Sequence, residues 1–402
     1  MKVEIVTDIE RLTAIRADWE GLLERSAANT PTLCPAWSLA WWREFGPRGG
    51  RALRAALFFD GSRLVGLAPL LERPFRYPPG IPFRRLELIA SGEDEADEIC
   101  SEYIGVLAER GAEEGVAHAL ALALEGGALG GWDELSLAAM SGDDVLPLLL
   151  AQEMRRRGLD ARVEVTGVAP HIPLPATWDA YLAALPSSRR YLVRRSIRDL
   201  EAWAEGTLRY ERAGTREDLE RGKQILMALH AERWSAAGSA GVMESSSFRA
   251  FHEEIMPALF ERGALDLRWL SVRGEPIAAI YNIVWQGKVY FYQSGRKVDL
   301  PRTVRAGIVI HAHAIRGAIE AGLREYDFLG GAARYKMDLA PAVRPLVRLR
   351  AARPSVIEAA RRTAELAIDQ ARVFRDNVRS MLGRPAPGGR RVPGGARRSP
   401  AA

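Results

Sequence analysis

The chain has 402 residues, of which 48% are hydrophobic and 27% are charged, which is enough apolar material for two ordinary cores and excludes a disordered protein. Its formal net charge is +5, but the residues from Gly383 to Ala402 contain five arginines and no acid, so the rest of the chain is neutral. A neutral body gives no support for nucleic-acid binding. We expect residues 383–402, which are rich in Pro, Gly and Arg, to be a disordered tail.

The sequence contains no signal for export, membrane insertion or metal binding. The start MKVEIVTD lacks a basic region followed by a long apolar run, and no later stretch reaches the ~18 apolar residues that span a bilayer. We therefore expect a cytoplasmic protein. Cys34 and Cys100 are far apart and are expected to be reduced thiols. His311 and His313 are two residues apart on a predicted helix and point to different faces, so no metal site is expected.

The first half of the chain alternates helical and strand patterns around one hairpin. Residues 53–71 form two β-rich runs that flank Asp60-Gly61, which is a strong hairpin signal. The other predicted elements are strand 2–6, helices 9–25 and 36–45, helix 112–124, strand 132–138, helix 145–157 and strand 161–165.

The second half repeats this order. Residues 267–283 share the Leu-Arg opening of the first hairpin segment and have a similar length, and they turn at Arg273-Gly274-Glu275. The other predicted elements are strand 208–211, helices 216–236 and 246–262, strand 288–293, an amphipathic helix with Val304, Ile308, Ala312, Ile315 and Ile319 on one face, strands 325–329 and 344–349, and helix 354–382. We interpret the chain as a duplicated α/β unit, with domains 1–168 and 176–352, a C-terminal helix 353–382 and the tail.

An arginine-rich segment, residues 186–201, is the first candidate site of the second half. Ser187 or Ser188 can cap a helix there. On that helix Arg190, Arg194 and Arg198 follow each other at i, i+4 and i+8. The ridge either grips a phosphate-bearing ligand through bidentate hydrogen bonds or is a solvated surface.

Two further segments have a functional and an ordinary interpretation. His230 lies beside Arg233 and Trp234 near the end of a helix, where a histidine is either a structural group or a base. Residues 300–307, LPRTVRAG, lead from a strand into the amphipathic helix. Backbone amides at such a helix start form an anion site in some proteins, and in others the segment is only a connection.

The segment YDFLGGAARYKMD, residues 326–338, is the most unusual of the chain. A strand ends at Asp327, a Gly-Gly pair permits close backbone approach, and Tyr335 and Lys336 follow in what we predict to be a Gly-rich loop. Ligands of open α/β sheets gather at such strand ends. Because the chain has only five lysines, we interpret Lys336 in this loop as a candidate functional residue and not as a chance surface residue.

Several segments in register carry a resemblance to a known family. They are SSRRYLVRRSIRDLE, LHAERW, LRWLSVRGEPIAAIYN, YQSG and YDFLGGAARYK in the second half, and TLCPAWSLAWWREFG, GLAPL and SEYIGVL in the first. Together they resemble the GNAT-type acetyltransferase domain of CelD-like (BioF2-like) proteins, which are related to the Fem-type aminoacyltransferases. The resemblance covers most of the chain. It implies two tandem GNAT-like α/β domains with mixed central sheets flanked by helices, the first a non-catalytic platform for the acceptor and the second catalytic.

For the donor, the resemblance implies acetyl-CoA or another acyl-CoA as co-substrate, without a metal. Pantetheine would pair with the backbone of residues 290–293 and 326–328, and the pyrophosphate would lie on the amides at the next helix start. The signature Q/R-x-x-G-x-G/A is matched by RTVRAG, with an arginine in place of the first glycine. The implied donor-binding residues are Tyr292, Gln293, Arg302, Arg305, Ala306, Gly307 and Phe328.

For the chemistry, the resemblance implies that Lys336 stabilises charge, because an aromatic-lysine pair in the corresponding loop of Fem-type relatives acts in the transition state. Tyr335 matches the aromatic residue and is also a candidate proton donor. Asp327 or His230 would accept a proton from the acceptor. The implied acceptor-binding residues are Arg190, Arg194, Arg233, Trp234, Gly330 and Gly331.

The expected acceptor is a small molecule or saccharide carrying an amine or a hydroxyl, because the family is associated with exopolysaccharide or cellulose production. Two other functions stay open. One is an aminoacyl-tRNA-dependent Fem-type transferase, for which tRNA would be a partner; otherwise no specific nucleic acid is expected. The other is a non-catalytic GNAT-fold binding protein, in which Arg305 and its neighbours fill the donor groove.

Overall fold

The computed structural model describes residues 1–381, so the tail expected at 383–402 lies outside the described residues. Its helices are α1 (Ile9–Ala14), α2 (Arg16–Arg25), α3 (Pro35–Phe45), α4 (Glu113–Glu125), α5 (Leu146–Arg156), α6 (Trp178–Ala184), α7 (Ser187–Ala204), α8 (Arg216–Ala236), α9 (Ser246–Glu261), α10 (Ala306–Glu320), α11 (Arg334–Leu339) and α12 (Val356–Met381). Its strands are β1 (Lys2–Val6), β2 (Ala52–Leu53), β3 (Ala55–Asp60), β4 (Arg63–Ala68), β5 (Leu70–Tyr77), β6 (Ile81–Leu88), β7 (Leu107–Ala108), β8 (Glu134–Ser141), β9 (Asp160–Pro173), β10 (Arg209–Arg212), β11 (Leu265–Val272), β12 (Glu275–Trp285), β13 (Lys288–Arg296), β14 (Glu325–Asp327) and β15 (Ala342–Ala352). The predicted mixed α/β class, with mixed sheets and flanking helices, is confirmed.

The chain divides into two compact units. Within the described residues, the first unit contains Met1–Gly92, Tyr103–Thr166 and residues 346–381, and the second contains Glu93–Glu102 and Gly167–Pro345. Residues 93–102 therefore belong to the second unit, although they lie inside the range 1–168 expected for the N-terminal domain. This short segment matters for the candidate site.

In the first unit, β1, β3, β4 and β7 form an antiparallel sheet in that order. A second set of strands pairs in the order β15, β8, β6, β5 and β2, with β6 and β8 parallel and the other pairs antiparallel. Four tryptophans, Trp19, Trp37, Trp41 and Trp132, are among its fully buried side chains. The long hairpin of β5 and β6 was not predicted from the sequence.

In the second unit, β10, β11, β12 and β13 are antiparallel neighbours, β13 and β14 are parallel, and β14 is antiparallel to β9. The two units share one pairing. In each, a strand that precedes a hairpin in the chain pairs with the first strand of that hairpin, β1 with β3 in the first unit and β10 with β11 in the second. The predicted hairpin turn at Arg273-Gly274 is confirmed: both residues have positive φ, as a two-residue hairpin turn requires.

Local chemistry explains how α8 is placed against the sheet of the second unit. Thr215 and Asp218 form a capping box that satisfies the first amides of α8. At the other end of the helix, a Cβ on Gly295 of β13 would lie 2.5 Å from the backbone nitrogen of His230. Only glycine permits this approach, so the sequence YQSG brings β13 into close contact with the helix that carries His230 and Arg233.

Two predicted elements are wrong in detail. The helix expected over residues 9–25 is divided at Ile15, whose backbone leaves the helical region, into α1 and α2. Tyr335 and Lys336 lie on the short helix α11 and not in a loop. The reason is that Tyr335 packs on the apolar core of the second unit, which fixes the backbone that follows the two glycines.

Candidate active site

The parallel strands β13 and β14 separate after a short paired stretch. They pair at three positions, ending at Tyr290 and Asp327, and β13 then continues to Arg296. The chain after β14 turns to β9 instead, where the Phe328 amide donates to the Pro170 carbonyl oxygen at 2.9 Å. We call the region between residues 291–296 of β13 and residues 328–331 the strand opening.

Lys336 lies at the strand opening and holds its backbone together. Its Nζ donates to the carbonyl oxygens of Phe328 at 2.7 Å and Gly330 at 2.6 Å, and it lies 5.8 Å from the ring centre of Phe291. Burial lowers the pKa of this ammonium, while the negative charge of Glu102 raises it. The structure therefore brings Lys336 together with Phe328, Gly330 and a carboxylate that the sequence analysis did not select.

Glu102 is that carboxylate, and it comes from the short segment 93–102. Its Oε1 accepts a hydrogen bond from the Gly330 amide at 3.2 Å. Burial raises the pKa of Glu102 to about 7, although the charge of Lys336 lowers it. The residue stood in the segment SEYIGVL, but nothing in the sequence connected it with the Gly-Gly segment 228 residues away.

The segment 93–102 is anchored in the second unit by polar contacts. The Tyr292 hydroxyl donates to the Ile99 carbonyl oxygen. The Ser245 hydroxyl donates to Asp97 Oδ1 at 2.5 Å. These contacts attach the segment to β13 and to the start of α9. Tyr292, a predicted donor-binding residue, is thus buried and in contact with this segment and with His252, whose Nε2 lies 3.1 Å from its hydroxyl.

Aromatic rings line the other side of the strand opening. The ring centres of Phe291 and Phe328 are 6.0 Å apart, and the Tyr335 ring stacks on the His311 ring with centres 5.6 Å apart. His311 Nδ1 lies 3.1 Å from the Tyr326 hydroxyl. Tyr335 is half-buried, and burial raises its pKa to about 12, so its hydroxyl is protonated at neutral pH. Sequence analysis did not predict His311 as a neighbour of this site, because only the fold brings α10 against α11.

Two predicted proton acceptors lie in structural positions. Asp327 is fully buried, and its Oδ2 accepts from Arg344 at 2.7 Å while its Oδ1 accepts from the Leu329 amide at 2.7 Å. His230 is 1% exposed, and among residues 1–381 neither of its ring nitrogens has a hydrogen-bond partner. Burial lowers the pKa of His230 to about 4. It is neutral at pH 7 and packs beside Trp234, with ring centres 5.9 Å apart.

The start of α10 carries the other predicted donor-binding residues. Arg305 is the N-cap and provides no side-chain cap, and its carbonyl oxygen accepts from the amides of Ile308 at 3.0 Å and Val309 at 3.2 Å. Arg302 and Arg305 are exposed, Ala306 is buried and Gly307 is half-buried. A Cβ on Gly307 would lie 3.7 Å from Cδ of Arg296, so the Arg296 side chain passes next to this helix start.

Arginines form the edge of the strand opening on the α8 side. Arg233 donates to the Ser294 hydroxyl at 3.3 Å, and its charge lowers the pKa of Arg296 and of Tyr335. Burial is the larger cause of the lowered pKa of Arg296. Two arginines close enough to repel each other favour an anionic ligand between them. Gln293, another predicted donor contact, is half-buried on the same strand.

The predicted arginine ridge lies on α7. Arg190 is half-buried, and Arg194 and Arg198 are exposed. A neighbouring arginine of the same helix, Arg189, lies 3.7 Å from Asp338 of α11. The first turn of α7 is therefore next to the short helix that carries Lys336, while the rest of the ridge extends along the surface. Gly331 is the last residue of the predicted acceptor set, and its φ is +100°. A Cβ built on Gly331 would lie 3.9 Å from Nζ of Lys336.

The described part of the chain shows neither a metal-binding cluster nor a membrane-spanning helix. Within residues 1–381, no cluster of three or more His, Cys, Asp or Glu side chains is arranged to hold a metal ion. In the same part of the chain, no helix combines the length and apolarity needed to cross a membrane.

Three buried histidines should make stability depend on pH. Burial lowers the pKa of His230 to about 4 and those of His252 and His311 to about 3, from 6.5. Between pH 6.5 and 4 the unfolded chain binds protons that the folded chain does not, so the free energy of unfolding falls as the pH is lowered through this range. At pH 5 the loss is at most about 2 kcal/mol per histidine.

His252→Phe tests this dependence, because an aromatic ring is kept and the titrating group is removed. We expect urea unfolding at pH 7 and pH 5 to show a smaller loss of stability in the variant than in the unchanged protein. The comparison isolates His252 from carboxyl groups that titrate in the same range. Equal losses in the two proteins would show that His252 has no lowered pKa.

Comparisons with known proteins bear on the fold and on the domain that carries the strand opening. Residues 187–337 match a family model described as an acetyltransferase (GNAT) domain. The crystal structure of FemX is similar to 87% of this chain over 97% of its own length, with 12% identity and a TM-score of 0.54. A conserved protein of unknown function from Bacteroides thetaiotaomicron VPI-5482 is similar to 88% of this chain over 100% of its length, with 11% identity and a TM-score of 0.53.

At these identities the two structures show the shared fold alone. A search of the curated proteins finds no match to the sequence. The matched range begins at the first residue of α7 and ends within α11, so it contains Lys336 and the strand opening. Residues 187–337 thus form a GNAT acetyltransferase domain, and the protein is an acyltransferase.

Proposed function

We propose that the protein transfers an acyl group from acetyl-CoA or another acyl-CoA to an amine or hydroxyl of a small-molecule or saccharide acceptor. The strand opening carries this proposal. An acyl-CoA laid along β13 would place its thioester at Lys336 and its pyrophosphate at the start of α10. The exposed side chain of Arg305 supports donor binding, since an arginine that filled the groove would be buried. We further propose a CelD-like role on a sugar or polysaccharide precursor in the cytoplasm.

The phosphates of the donor would be held by the first amides of α10 together with Arg296. The backbone amides of a helix start and the positive end of the helix dipole favour an anion there. Arg302 and Arg305, which are exposed next to this helix start, would add charge to the donor site. Arg305 stands where the family signature has a glycine, which offers only its backbone amide to the phosphates. Arg305 would add its side chain to the phosphate contacts.

Lys336 would stabilise the charge that develops on the thioester oxygen. An ammonium has three donors, and the hydrogen bonds to Phe328 and Gly330 use two of them. The third can donate to the carbonyl oxygen of the thioester as the acceptor attacks. Tyr335 is held beside it with its hydroxyl protonated, so it is suited to donate to the departing sulfur. The N-terminal domain expected at residues 1–168 would serve as the acceptor platform, as the resemblance implies.

Binding of acetyl-CoA tests the donor directly. At a concentration one hundred times the Kd, it should stabilise the protein by about 2.7 kcal/mol, visible as a rise in Tm. Gly307→Asp should abolish this rise without harming the fold, because a carboxylate in the first turn of α10 stabilises the helix and repels phosphates.

Gly307→Ala is the matched control, since its Cβ meets only an ordinary contact 3.7 Å away. It should keep most of the stabilisation. If acetyl-CoA at saturating concentration leaves the Tm of the unchanged protein unaltered, the acyl-CoA donor is rejected and an aminoacyl-tRNA donor is favoured. Stabilisation without acetyl transfer to any amino sugar, nucleotide sugar or polysaccharide fragment would instead indicate a non-catalytic binding protein.

A further inference from the structure

The first half of the sequence contributes the carboxylate of Glu102 to the strand opening. Glu102 ends the segment 93–102, and its carboxylate accepts from the amide of Gly330. The carbonyl oxygen of the same glycine accepts from Lys336 Nζ at 2.6 Å. The Glu102 carboxylate and the Lys336 ammonium are therefore both hydrogen-bonded to Gly330, one to its amide and the other to its carbonyl oxygen, just after the end of β14.

We propose that Glu102 is the general base of the acyl transfer, accepting the proton that the attacking amine or hydroxyl loses while Lys336 stabilises the thioester oxygen. This inference rests on the proposed function and adds to it the group that activates the acceptor. It differs from the sequence-based expectation, in which Asp327 or His230 accepted this proton.

The electrostatic surroundings of Glu102 suit a base. Burial raises its pKa to about 7, against the lowering effect of Lys336 and with a further rise from Glu98. The other titratable groups that face it, Cys100 and Tyr292, are neutral at pH 7 because burial raises their pKa values well above the usual range. A carboxylate with a pKa near the working pH combines a sufficient deprotonated fraction with useful basicity.

The two expected bases are less suited. The carboxylate of Asp327 is bound to the guanidinium of Arg344 at 2.7 Å and to a backbone amide, which makes it a weak base oriented toward the protein. His230 is almost fully buried, and its lowered pKa makes it a weaker base than Glu102 at neutral pH. Glu102 is half-buried as a residue, while its Oε2 is enclosed, so the acceptor must reach the carboxylate from the strand opening as it binds.

The step balances without any further reactant. The lone pair of the acceptor nitrogen or oxygen forms a bond to the thioester carbonyl carbon, and the acceptor proton passes to the Glu102 carboxylate. The carbon–sulfur bond then breaks with its electron pair going to sulfur. The thiolate of CoA takes up a proton from Tyr335, and before the next turnover Glu102 releases its proton to solvent while Tyr335 takes one up from solvent.

The test compares Glu102→Gln with the unchanged protein, with acetyl-CoA as the donor. The acceptor is glucosamine or, in the hydrolysis reaction, solvent water. Thiol release is followed with a chromogenic thiol reagent between pH 5.5 and 9. For the unchanged protein we expect kcat/KM to rise with pH through about 7, as Glu102 loses its proton. In Glu102→Gln we expect a loss of about 100-fold or more at pH 8 and no such rise. The glutamine can still accept from the Gly330 amide, so the fold should be kept.

Glu95→Gln is the matched control, because Glu95 is an exposed glutamate of the same segment. It should keep both the rate and the pH profile. Thermal stabilisation by acetyl-CoA should be the same in all three proteins, which separates donor binding from proton transfer. An unchanged rate and pH profile in Glu102→Gln would overturn the role of Glu102.

Failure of the proposed function has a different signature. In that case the unchanged protein itself shows neither thiol release nor stabilisation by acetyl-CoA. An infrared difference titration then still decides whether Glu102 is a poised base, because it needs no acceptor. A carboxyl band that titrates near pH 7 in the unchanged protein and is missing in Glu102→Gln supports the assignment, and its absence from both rejects it.

Discussion

Replacing Lys336 with alanine is expected to lower the turnover number about 100-fold or more, on the scale of losing one positioned donor to a developing oxyanion. The variant lacks the ammonium that lies 2.7 Å from the Phe328 carbonyl oxygen and next to Glu102. Because the charge of Lys336 lowers the pKa of Glu102, its loss should also move the rise of kcat/KM to higher pH. Steady-state kinetics of acetyl transfer over pH 5.5–9 measure both effects.

Lys297→Ala provides the control for this experiment. Lys297 follows β13 and forms an ion pair with Glu275, away from the carbonyl groups that Lys336 contacts. It should keep near-normal turnover. Circular dichroism and Tm should show both variants folded, with Lys336→Ala less stable by about 1–3 kcal/mol because two carbonyl oxygens lose a donor. Near-normal turnover of Lys336→Ala would reject its catalytic role.

Glu134→Ala is expected to destabilise the first unit by about 3–5 kcal/mol, since it leaves buried charges without their partner. Glu134 is fully buried on β8, and its carboxylate accepts from Arg85 at 2.5 Å, from Arg350 at 2.8 Å and from the Tyr77 hydroxyl at 2.8 Å. Arg350 also binds Glu358, the buried acid that attaches α12. Urea unfolding followed by circular dichroism measures the loss.

Glu164→Ala is the matched control for Glu134→Ala. Glu164 also pairs with an arginine of β15, Arg348, at 2.8 Å, but its side chain is 41% exposed. An exposed pair of this kind contributes only about 0–1 kcal/mol. If the two alanine variants were equally stable, the buried cluster around Glu134 would not hold the strands and α12 of the first unit together.

Most of the fold could be predicted from sequence patterns because its elements follow local rules. The period of apolar residues predicted α8 at Arg216–Ala236 with both ends correct, and the Asp60-Gly61 and Arg273-Gly274 turns predicted both hairpins. The errors arose where packing overrides local preference. Ile15 interrupts one predicted helix, and α11 forms where a Gly-rich loop was expected.

The candidate site could be predicted only in part. The segment from Tyr326 to Asp338 identified Lys336, Tyr335 and the two glycines, because an unusual lysine and a Gly-Gly pair are visible in sequence. The role expected for Asp327 is not supported by its surroundings, since Arg344, seventeen residues away, occupies its carboxylate. Whether a carboxylate is available or bound depends on long-range contacts, which the sequence does not show.

The sequence by itself determined the repeated α/β pattern, the hairpins at Asp60-Gly61 and Arg273-Gly274 and the segment that holds Lys336, since each depends on residues close together in the chain. The tertiary structure decided how the two strands β13 and β14 separate and which acid lies beside that lysine. Glu102 and Gly330 are 228 residues apart, and their contact depends on the anchoring of the segment 93–102 by Tyr292 and Ser245. Burial at that contact, and not the residue type, raises the pKa of Glu102 toward neutrality.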